Sequence, residues 1–179
     1  MLTTGALIKR KGTEILIQGF AEALRKTDTK LVLKIVGDGP QRAYLEELVR
    51  SLHIDSHVIF CGHHDHKNMP AFYRNANVFI SMSRAESWGQ MYLEAMSSGL
   101  AILTTRNDGS TFIINNKING VFVKTENSHD LAKKIVHLAT NRELLRSLQK
   151  SARATALEYD WEKKIIPKYV RMYKNLLDS

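Results

Sequence analysis

The chain has 179 residues, of which 44% are hydrophobic and 25% are charged. This length and composition support one folded domain with a real core, and they exclude two large domains and an intrinsically disordered chain. The formal net charge of +8 favours an anionic partner such as phosphate groups, nucleic acid or acidic lipid, although a well-solvated surface is the simpler explanation.

Short apolar runs predict the strands of a parallel sheet. After a first run at residues 2–5, they lie at residues 31–36, 58–60, 78–80, 101–103 and 121–123. Most of these runs are continuous rather than alternating in polarity, which is what a parallel sheet buried on both faces requires.

Helical patterns fill the gaps between the runs. They lie at residues 11–26, 41–52, 67–76, 89–98, 127–140 and 141–158. Gly99 is a predicted C-terminal cap, and Asn127 and Asn141 are predicted N-caps. The alternation of strands and helices predicts an α/β fold with a doubly wound, Rossmann-like parallel sheet, whose ligands bind beyond the carboxyl ends of the strands.

A last helical pattern, at residues 160–179, carries an apolar stripe beside basic side chains. Pro167 should kink this helix or start a new one, because proline has no backbone N–H to donate. The simplest expectation is a final helix that packs on the sheet of its own domain.

The loop that follows the first predicted strand, residues 5–12, places three cations in a row. Lys9, Arg10 and Lys11 stand where this loop joins the first predicted helix. The N-terminus of a helix and adjacent cations together suit a diphosphate. A solvated basic turn is the alternative.

The loops after the second and third predicted strands carry weaker signals. Residues 37–40 begin a dinucleotide-binding fingerprint, but Arg42 stands in the place of its third glycine. A tight strand-to-helix turn is therefore favoured, and a dehydrogenase is disfavoured. Residues 61–66 contain three histidines and one aspartate, yet no clear further ligand exists elsewhere, so we expect a polar loop rather than a metal site.

Two glutamates mark the most specific segment of the chain. Glu86 comes shortly after the strand predicted at residues 78–80, and Glu94 lies inside the next helix. Both carboxylates can reach one ligand, and Gly89 lets the backbone amides of the first helical turn approach an anion closely. In the simpler alternative, Glu94 is a helix-surface residue and Glu86 is a cap.

The motifs of the chain occur in a recognisable order. They are G-x-L-x-x-x-K-G at residues 5–12, V-G-D-G-P at 36–40, V-x-F-x-G at 58–62, E-x7-E at 86–94, N-G-V-F-V at 119–123 and Y-D-W-E at 159–162. This ordered set resembles the C-terminal, donor-binding domain of the retaining glycosyltransferases with the GT-B fold, the glycosyl transferases group 1 family. The resemblance implies a nucleotide-sugar-binding, Rossmann-like domain at residues 1–159. It also implies that residues 160–179 form a C-terminal helix that crosses back to an N-terminal acceptor domain, which this chain lacks.

The resemblance also implies roles for individual residues. Lys11 matches a lysine that contacts the donor diphosphate, and Glu86 matches a glutamate at the donor sugar; these two are the predicted catalytic residues. Glu94 matches a glutamate that accepts hydrogen bonds from ribose hydroxyls. The remaining predicted donor-binding residues are Gly5, Arg10, Gly62, His63, Ser87, Trp88, Gly89, Gln90 and Met91.

Within that set, residues 62–63 should lie near the nucleotide base, and residues 87–91 should offer backbone N–H groups to the sugar and the pyrophosphate. Because protein groups then neutralise the diphosphate, the resemblance implies no cofactor and no required metal.

The sequence departs from the family pattern at two places. The family often has an arginine directly after the first glycine, where this chain has Ala6. Either Arg10 or a group in the missing domain would then supply the second cation. The family also often has a glutamate after a glycine pair in a later loop, where residues 108–111 of this chain lead to Phe112.

The resemblance predicts a hexosyltransferase that moves a sugar from a nucleoside-diphosphate sugar to a glycan or a lipid-linked acceptor, with retention of configuration. A role in the biosynthesis of polysaccharide, lipopolysaccharide or capsule follows, and the isolated chain should be inactive without its N-terminal domain. A non-catalytic nucleotide-binding or interaction domain is the alternative. We do not expect a nucleic-acid partner, because no basic stretch is interleaved with aromatic residues.

The sequence also indicates a location. The single cysteine, Cys61, cannot form an internal disulfide, which is typical of the reducing cytoplasm. We expect neither a signal peptide nor a membrane span, because no apolar run approaches the ~20 residues that a span needs. A peripheral contact with the inner face of the membrane would suit the positive charge.

Overall fold

A parallel sheet of six strands forms the centre of the molecule. The computed structural model describes residues 1–177. The strands are β1 (Leu2–Thr4), β2 (Leu33–Val36), β3 (Val58–Gly62), β4 (Val78–Ser81), β5 (Ala101–Thr105) and β6 (Val121–Val123). Their order in the sheet is β3-β2-β1-β4-β5-β6. This is the doubly wound order, so the predicted α/β, Rossmann-like fold is confirmed.

Helices follow the strands along the chain. They are α1 (Thr13–Leu24), α2 (Arg42–Ser51), α3 (Met69–Arg74), α4 (Gln90–Ser97), α5 (Asp108–Ile113), α6 (Ser128–Thr140), α7 (Arg142–Leu157) and α8 (Ile166–Leu177). The predicted caps are confirmed: the side chains of Asn127 and Asn141 accept from the N–H groups of Asp130 and Leu144. Gly99 follows α4 with a φ of +77°.

Helices α1 and α5 differ from the sequence-based expectation. Helix α1 begins at Thr13 rather than at Lys11, because residues 9–11 form a 3-10 turn and Gly12 adopts the left-handed conformation. Helix α5 has no predicted counterpart, since six residues are too few to show a helical period. A capping box sustains it, in which Asn107 and Ser110 each bond the backbone N–H of the other.

Both faces of the sheet are buried. Helices α1, α2 and α6 pack on one face, where Phe20 and Ile80 are fully buried. Helices α3 and α4 and the C-terminal part of α7 cover the other face, where Phe79 and Tyr92 are fully buried. All residues of the neighbouring strands β4 and β5 are buried, which explains why their sequences begin with continuous apolar runs rather than alternating ones.

The final helical segment stands apart from the sheet. Residues Trp161–Ile165 form a π-helical turn, and α8 begins at Ile166. Pro167 lies in the first turn of α8, so the expectation that it starts a new helix is confirmed. Every residue of α8 is exposed, and its main contacts are with the π-helical turn before it. It therefore does not take the simplest expected position, on its own sheet.

The predicted helix ends at residue 179, and its last two residues lie outside the described ones. Between residues 1 and 177, no helix combines the length and the apolar character needed to cross a membrane.

Candidate functional site

The site lies where the chain changes direction within the sheet. From β1 the chain builds outward to β2 and β3, and from β4 it builds toward the opposite edge. The loops after β1 and β4 therefore diverge at the carboxyl edge and leave a crevice between them. We call residues 5–12 the β1 loop and residues 82–89 the β4 loop.

An ion pair joins the two loops across this crevice. Nζ of Lys11 donates to Oε2 of Glu86 at 2.5 Å, although the residues are 75 positions apart in the chain. Their side chains are 16% and 19% exposed, so the pair is largely covered yet still reachable from solvent. The structure thus brings together the two residues predicted to be catalytic, and a charge-assisted hydrogen bond between them is among the stronger polar contacts.

Two further residues of the β1 loop border this pair. Nη1 of Arg10 donates to the carbonyl of Ala85 at 2.7 Å and lies 4.0 Å from Oε2 of Glu86. Gly5 lies beneath the Lys11 side chain, because a Cβ added at Gly5 would stand 3.5 Å from Cε of Lys11. Both predicted donor-binding residues therefore lie at the Lys11–Glu86 pair.

Arg84 fastens the two loops to each other. Its backbone N–H donates to the carbonyl of Arg10 at 2.8 Å. Its guanidinium bonds Glu14 at 2.7 Å and Glu126 at 2.6 Å, and it also donates to the carbonyl of Lys9. No role was predicted for Arg84, because its acidic partners lie far away in the sequence and leave no local signal.

Helix α5 supports the β4 loop from behind. The N–H of Gly109 donates to the carbonyl of Glu86 at 2.6 Å, and Nδ2 of Asn107 donates to the carbonyl of Ser83 at 3.1 Å. A Cβ at Gly109 would lie 2.8 Å from the carbonyl carbon of Trp88. The segment that departs from the family pattern, residues 108–112, is thus a direct support of the Glu86 backbone.

The β4 loop ends at Gly89, the residue that caps α4. Its φ of +72° is left-handed, and a Cβ there would lie 2.4 Å from the ring of Tyr92. The backbone N–H groups in the first turn of a helix have no partners within it, and two residues of the predicted segment 87–91, Gln90 and Met91, lie in the first turn of α4. The indole of Trp88 is exposed and contacts the ring of Phe112, with 5.2 Å between ring centroids.

Glu94 is held on both of its carboxylate oxygens. The phenol of Tyr73 donates to Oε2 at 2.8 Å, and Nε2 of His66 lies 3.1 Å from Oε1. The same phenol lies 3.3 Å from Oγ1 of Thr4, the last residue of β1. Glu94 is therefore tied to the carboxyl edge of the sheet, which the simpler alternative of a plain helix-surface residue does not explain. Tyr73 and His66 were not predicted for this role.

Residues 37–40 form the tight turn that was favoured over a dinucleotide fingerprint. A Cβ at Gly37 would lie 1.9 Å from the carbonyl oxygen of Gly5, so only glycine fits. The carbonyl of Asp38 accepts from the N–H of Leu7 at 2.9 Å. This turn therefore supports the β1 loop.

The histidine-containing loop follows β3. Gly62 has a φ of +75°, and its carbonyl accepts from the N–H of Gly37 at 2.8 Å. The region predicted to lie near the base is therefore bonded to the turn at residues 37–40, and His63 is exposed. Nε2 of His64 lies 3.0 Å from the carbonyl of Cys61. Within the described residues 1–177, no three His, Cys, Asp or Glu side chains are grouped as metal ligands.

Comparison with known proteins decides the family. The model of glycosyl transferases group 1 matches residues 1–155. The chain belongs to the glycosyl transferases group 1 family. N-acetyl-alpha-D-glucosaminyl L-malate synthase of Bacillus anthracis, a curated relative, is 30% identical over 169 residues, which are 94% of this chain and 43% of that protein.

Solved structures of the group 1 family share the fold. The C-terminal domain of a glycosyl transferase group 1 family protein from Francisella tularensis has a TM-score of 0.79 at 24% identity, over 87% of this chain and 83% of that one. The pneumococcal O-GlcNAc transferase GtfA, in complex with UDP and GlcNAc, has a TM-score of 0.86 at 21% identity, over 99% of this chain and 36% of that one. The fold is thus that of the C-terminal domain of GT-B glycosyltransferases.

The share of the relatives that this chain covers is limited. It spans between 43% and 48% of the length of the first three curated relatives it matches. What the whole protein does is therefore a matter for proposal.

The conformation of Gly89 gives a test of how the β4 loop is built. Gly89→Ala and Gly99→Ala place a methyl group at the two ends of α4, at φ values of +72° and +77°. In both variants the free energy of unfolding should fall by about 1–2 kcal/mol, because a residue with a Cβ is strained in the left-handed conformation. Gly89→Ala should lose about 1–3 kcal/mol more, because its Cβ overlaps the ring of Tyr92, whereas no heavy atom lies within 4 Å of a Cβ at Gly99.

Urea unfolding of the two variants and the wild type measures the difference. Equal losses in Gly89→Ala and Gly99→Ala would show that the backbone of the β4 loop is not fixed against Tyr92.

Proposed function

We propose that this chain is the donor-binding half of a retaining glycosyltransferase of the hexosyltransferase type. It binds a nucleoside-diphosphate sugar, whose sugar passes to a glycan or a lipid-linked acceptor. The observation that carries the proposal is the Lys11–Glu86 pair, held at 2.5 Å between the two loops of the sheet's crevice. The UDP and GlcNAc bound to the pneumococcal neighbour support a donor of this class.

Lys11 and the start of α4 neutralise the leaving diphosphate. As the bond to the sugar breaks, negative charge grows on the departing phosphate, and fixed positive groups stabilise that charge. Lys11 supplies a full charge. The backbone N–H groups of residues 87–91 and the positive end of the helix dipole supply partial charges. These protein groups perform the neutralisation without a required metal.

Glu86 holds the donor sugar. In the structure its carboxylate is occupied by Lys11, and a diphosphate that draws Lys11 away frees Oε2 to accept from sugar hydroxyls. The bond from Gly109 to the Glu86 carbonyl keeps the backbone in place during this exchange of partners. Positioning by a fixed carboxylate orients the anomeric carbon toward the incoming acceptor.

Glu94 and the end of β3, at residues 62–63, hold the nucleoside. A carboxylate accepts hydrogen bonds from two adjacent ribose hydroxyls, and Glu94 has Oε1 directed at the exposed side chain of His66. Gly62 and His63 stand at the end of β3, where the base would lie.

Arg10 takes the place of the arginine that the family often has at the position of Ala6. Ala6 has no charge to offer, whereas Nη1 of Arg10 lies 4.0 Å from the carboxylate that Lys11 contacts. The Arg10 side chain is half exposed, so it can turn from Glu86 to a phosphate at small cost. The β1 loop thus keeps two cations at the diphosphate.

The acceptor belongs to the rest of the protein. Because the chain covers less than half of its curated relatives, an N-terminal acceptor-binding domain completes the enzyme, and the isolated chain is inactive. The exposed apolar side of α8, with Tyr169 and Tyr173, docks on that domain as this C-terminal segment crosses back. Lys168, Arg171 and Lys174 suit a peripheral contact with anionic lipid at the inner face of the membrane in the cytoplasm, consistent with polysaccharide, lipopolysaccharide or capsule biosynthesis.

The two glutamates should fail in different ways. Wild-type chain should bind UDP or GDP, and the corresponding nucleotide sugars, by calorimetry in the presence of a chelator. Glu94→Ala should weaken both ligands about tenfold or more, because it loses charge-assisted bonds to the ribose that both share. Glu86→Ala should weaken binding of the nucleotide sugar and leave binding of the free nucleoside diphosphate unchanged.

The outcomes separate the assignments. Equal losses for both ligands in both variants would refute the division between ribose and sugar. A wild-type chain that binds no nucleoside diphosphate up to millimolar concentration would refute the proposed function.

The role of Arg10 has a control at the preceding residue, Lys9. Arg10→Ala should weaken nucleoside diphosphate binding about tenfold or more through loss of a charge-assisted bond. Lys9→Ala removes the same formal charge from the neighbouring position and should cost less than about threefold, since only screened long-range attraction is lost. Adding Ala6→Arg to Arg10→Ala should restore most of the affinity.

Isothermal titration at two salt concentrations checks this prediction. If Arg10→Ala and Lys9→Ala lose the same affinity, Arg10 contributes only general positive charge.

A further inference from the structure

Glu94 has two oxygens with very different partners. Oε2 accepts from the phenol of Tyr73 at 2.8 Å, and Tyr73 is only 2% exposed. Oε1 lies 3.1 Å from Nε2 of His66, whose side chain is 80% exposed. One oxygen therefore has a fixed interior partner, and the other has a partner that solvent or a ligand can displace.

The surroundings of Tyr73 keep its hydroxyl in one place. The ring of Tyr73 lies in the core, and its centroid is 6.0 Å from that of Phe79. Helix α3 places the phenol beside the end of β1, where Oγ1 of Thr4 lies 3.3 Å from the phenol oxygen. Burial raises the pKa of the Tyr73 phenol above its ordinary value. The hydroxyl thus stays protonated and remains a donor to the carboxylate.

A glutamate at the surface of a helix would otherwise sample several rotamers. Ordering such a side chain when a ligand binds lowers the affinity, and a carboxylate that is already oriented avoids this loss. The bond to Tyr73 leaves Oε1 as the oxygen that faces the exposed side.

We propose that Tyr73 is a positioning residue for nucleoside recognition. It holds Glu94 through Oε2 so that Oε1, once His66 is displaced, accepts from the ribose hydroxyls of a nucleoside diphosphate. This inference rests on the ribose role given to Glu94 in the proposed function. Tyr73 does not touch the nucleotide and acts through the carboxylate alone.

A second buried tyrosine provides a matched control. Tyr92 is fully buried and lies on α4, as Glu94 does, but its hydroxyl bonds Thr104 at 2.7 Å instead of a site residue. Tyr73→Phe and Tyr92→Phe therefore each remove one buried hydroxyl and keep the ring. Only the first removes a bond to Glu94.

The experiment compares two probes by calorimetry. One is UDP or GDP, whichever the wild type binds more tightly, and the other is its 2′,3′-dideoxy form. Tyr73→Phe should weaken the normal diphosphate about tenfold and change binding of the dideoxy form by less than about twofold. Tyr92→Phe should change neither by more than about twofold. In a Glu94→Gln background, Tyr73→Phe should have little further effect, because the two residues act as a unit.

Each other outcome contradicts the inference in a recognisable way. If Tyr73→Phe weakens both probes equally, or behaves as Tyr92→Phe does, Tyr73 has only a structural role while the proposed function stands. If the wild type binds both probes equally well, the ribose role of Glu94 is wrong and the positioning role falls with it. If the wild type binds neither probe, the proposed function itself is wrong.

Discussion

The contact between Lys11 and Glu86 depends on how closely the β1 loop and the β4 loop approach each other. Backbone atoms set that approach. A Cβ at Gly12 would stand 2.3 Å from the carbonyl oxygen of Met82, and one at Gly109 would stand 3.0 Å from that of Glu86. Glycine at these two positions lets the β1 loop and the β4 loop, together with helices α1 and α5, meet at the carboxyl edge of the sheet. The position of every charged group in the crevice follows from this packing of backbone on backbone.

In the proposed function, the charges in the crevice contribute more to binding than to folding. A partly exposed ion pair stabilises a protein little, because solvent competes for both partners. The fold has a separate source of stability in the two buried faces of its sheet, and the backbone bond from Arg84 to Arg10 joins the two loops independently of the Lys11–Glu86 pair. Lys11 and Glu86 can therefore exchange partners when an anionic ligand enters without loosening the loops that carry them. A site of this kind is fixed in its backbone and adaptable in its ion pairs.

The strands were predictable from the sequence because a strand buried on both faces is largely apolar, as residues 78–80 of β4 and 101–103 of β5 are. The convergence of Lys11 and Glu86 was also predictable, since parallel strands deliver their following loops to one edge. Helix α5 was not, because its capping box replaces the apolar period that a longer helix shows. Tyr73 and Arg84 escaped prediction for another reason: their partners lie 21, 70 and 42 residues away, and only the fold brings them together. The start of α1 was misplaced because Gly12 is needed for loop approach, not for helix formation.

Hydrogen exchange of the backbone amides, with and without saturating UDP or GDP, tests the central claim most directly. If the crevice between the β1 and β4 loops is the diphosphate site, the amides of residues 5–12 and 87–91 should be slowed together, while those of the exposed α8 remain unchanged. Protection confined to α8, or to residues 29–32 at the amino ends of the strands, would contradict the account, because the ligand would then bind away from the Lys11–Glu86 pair.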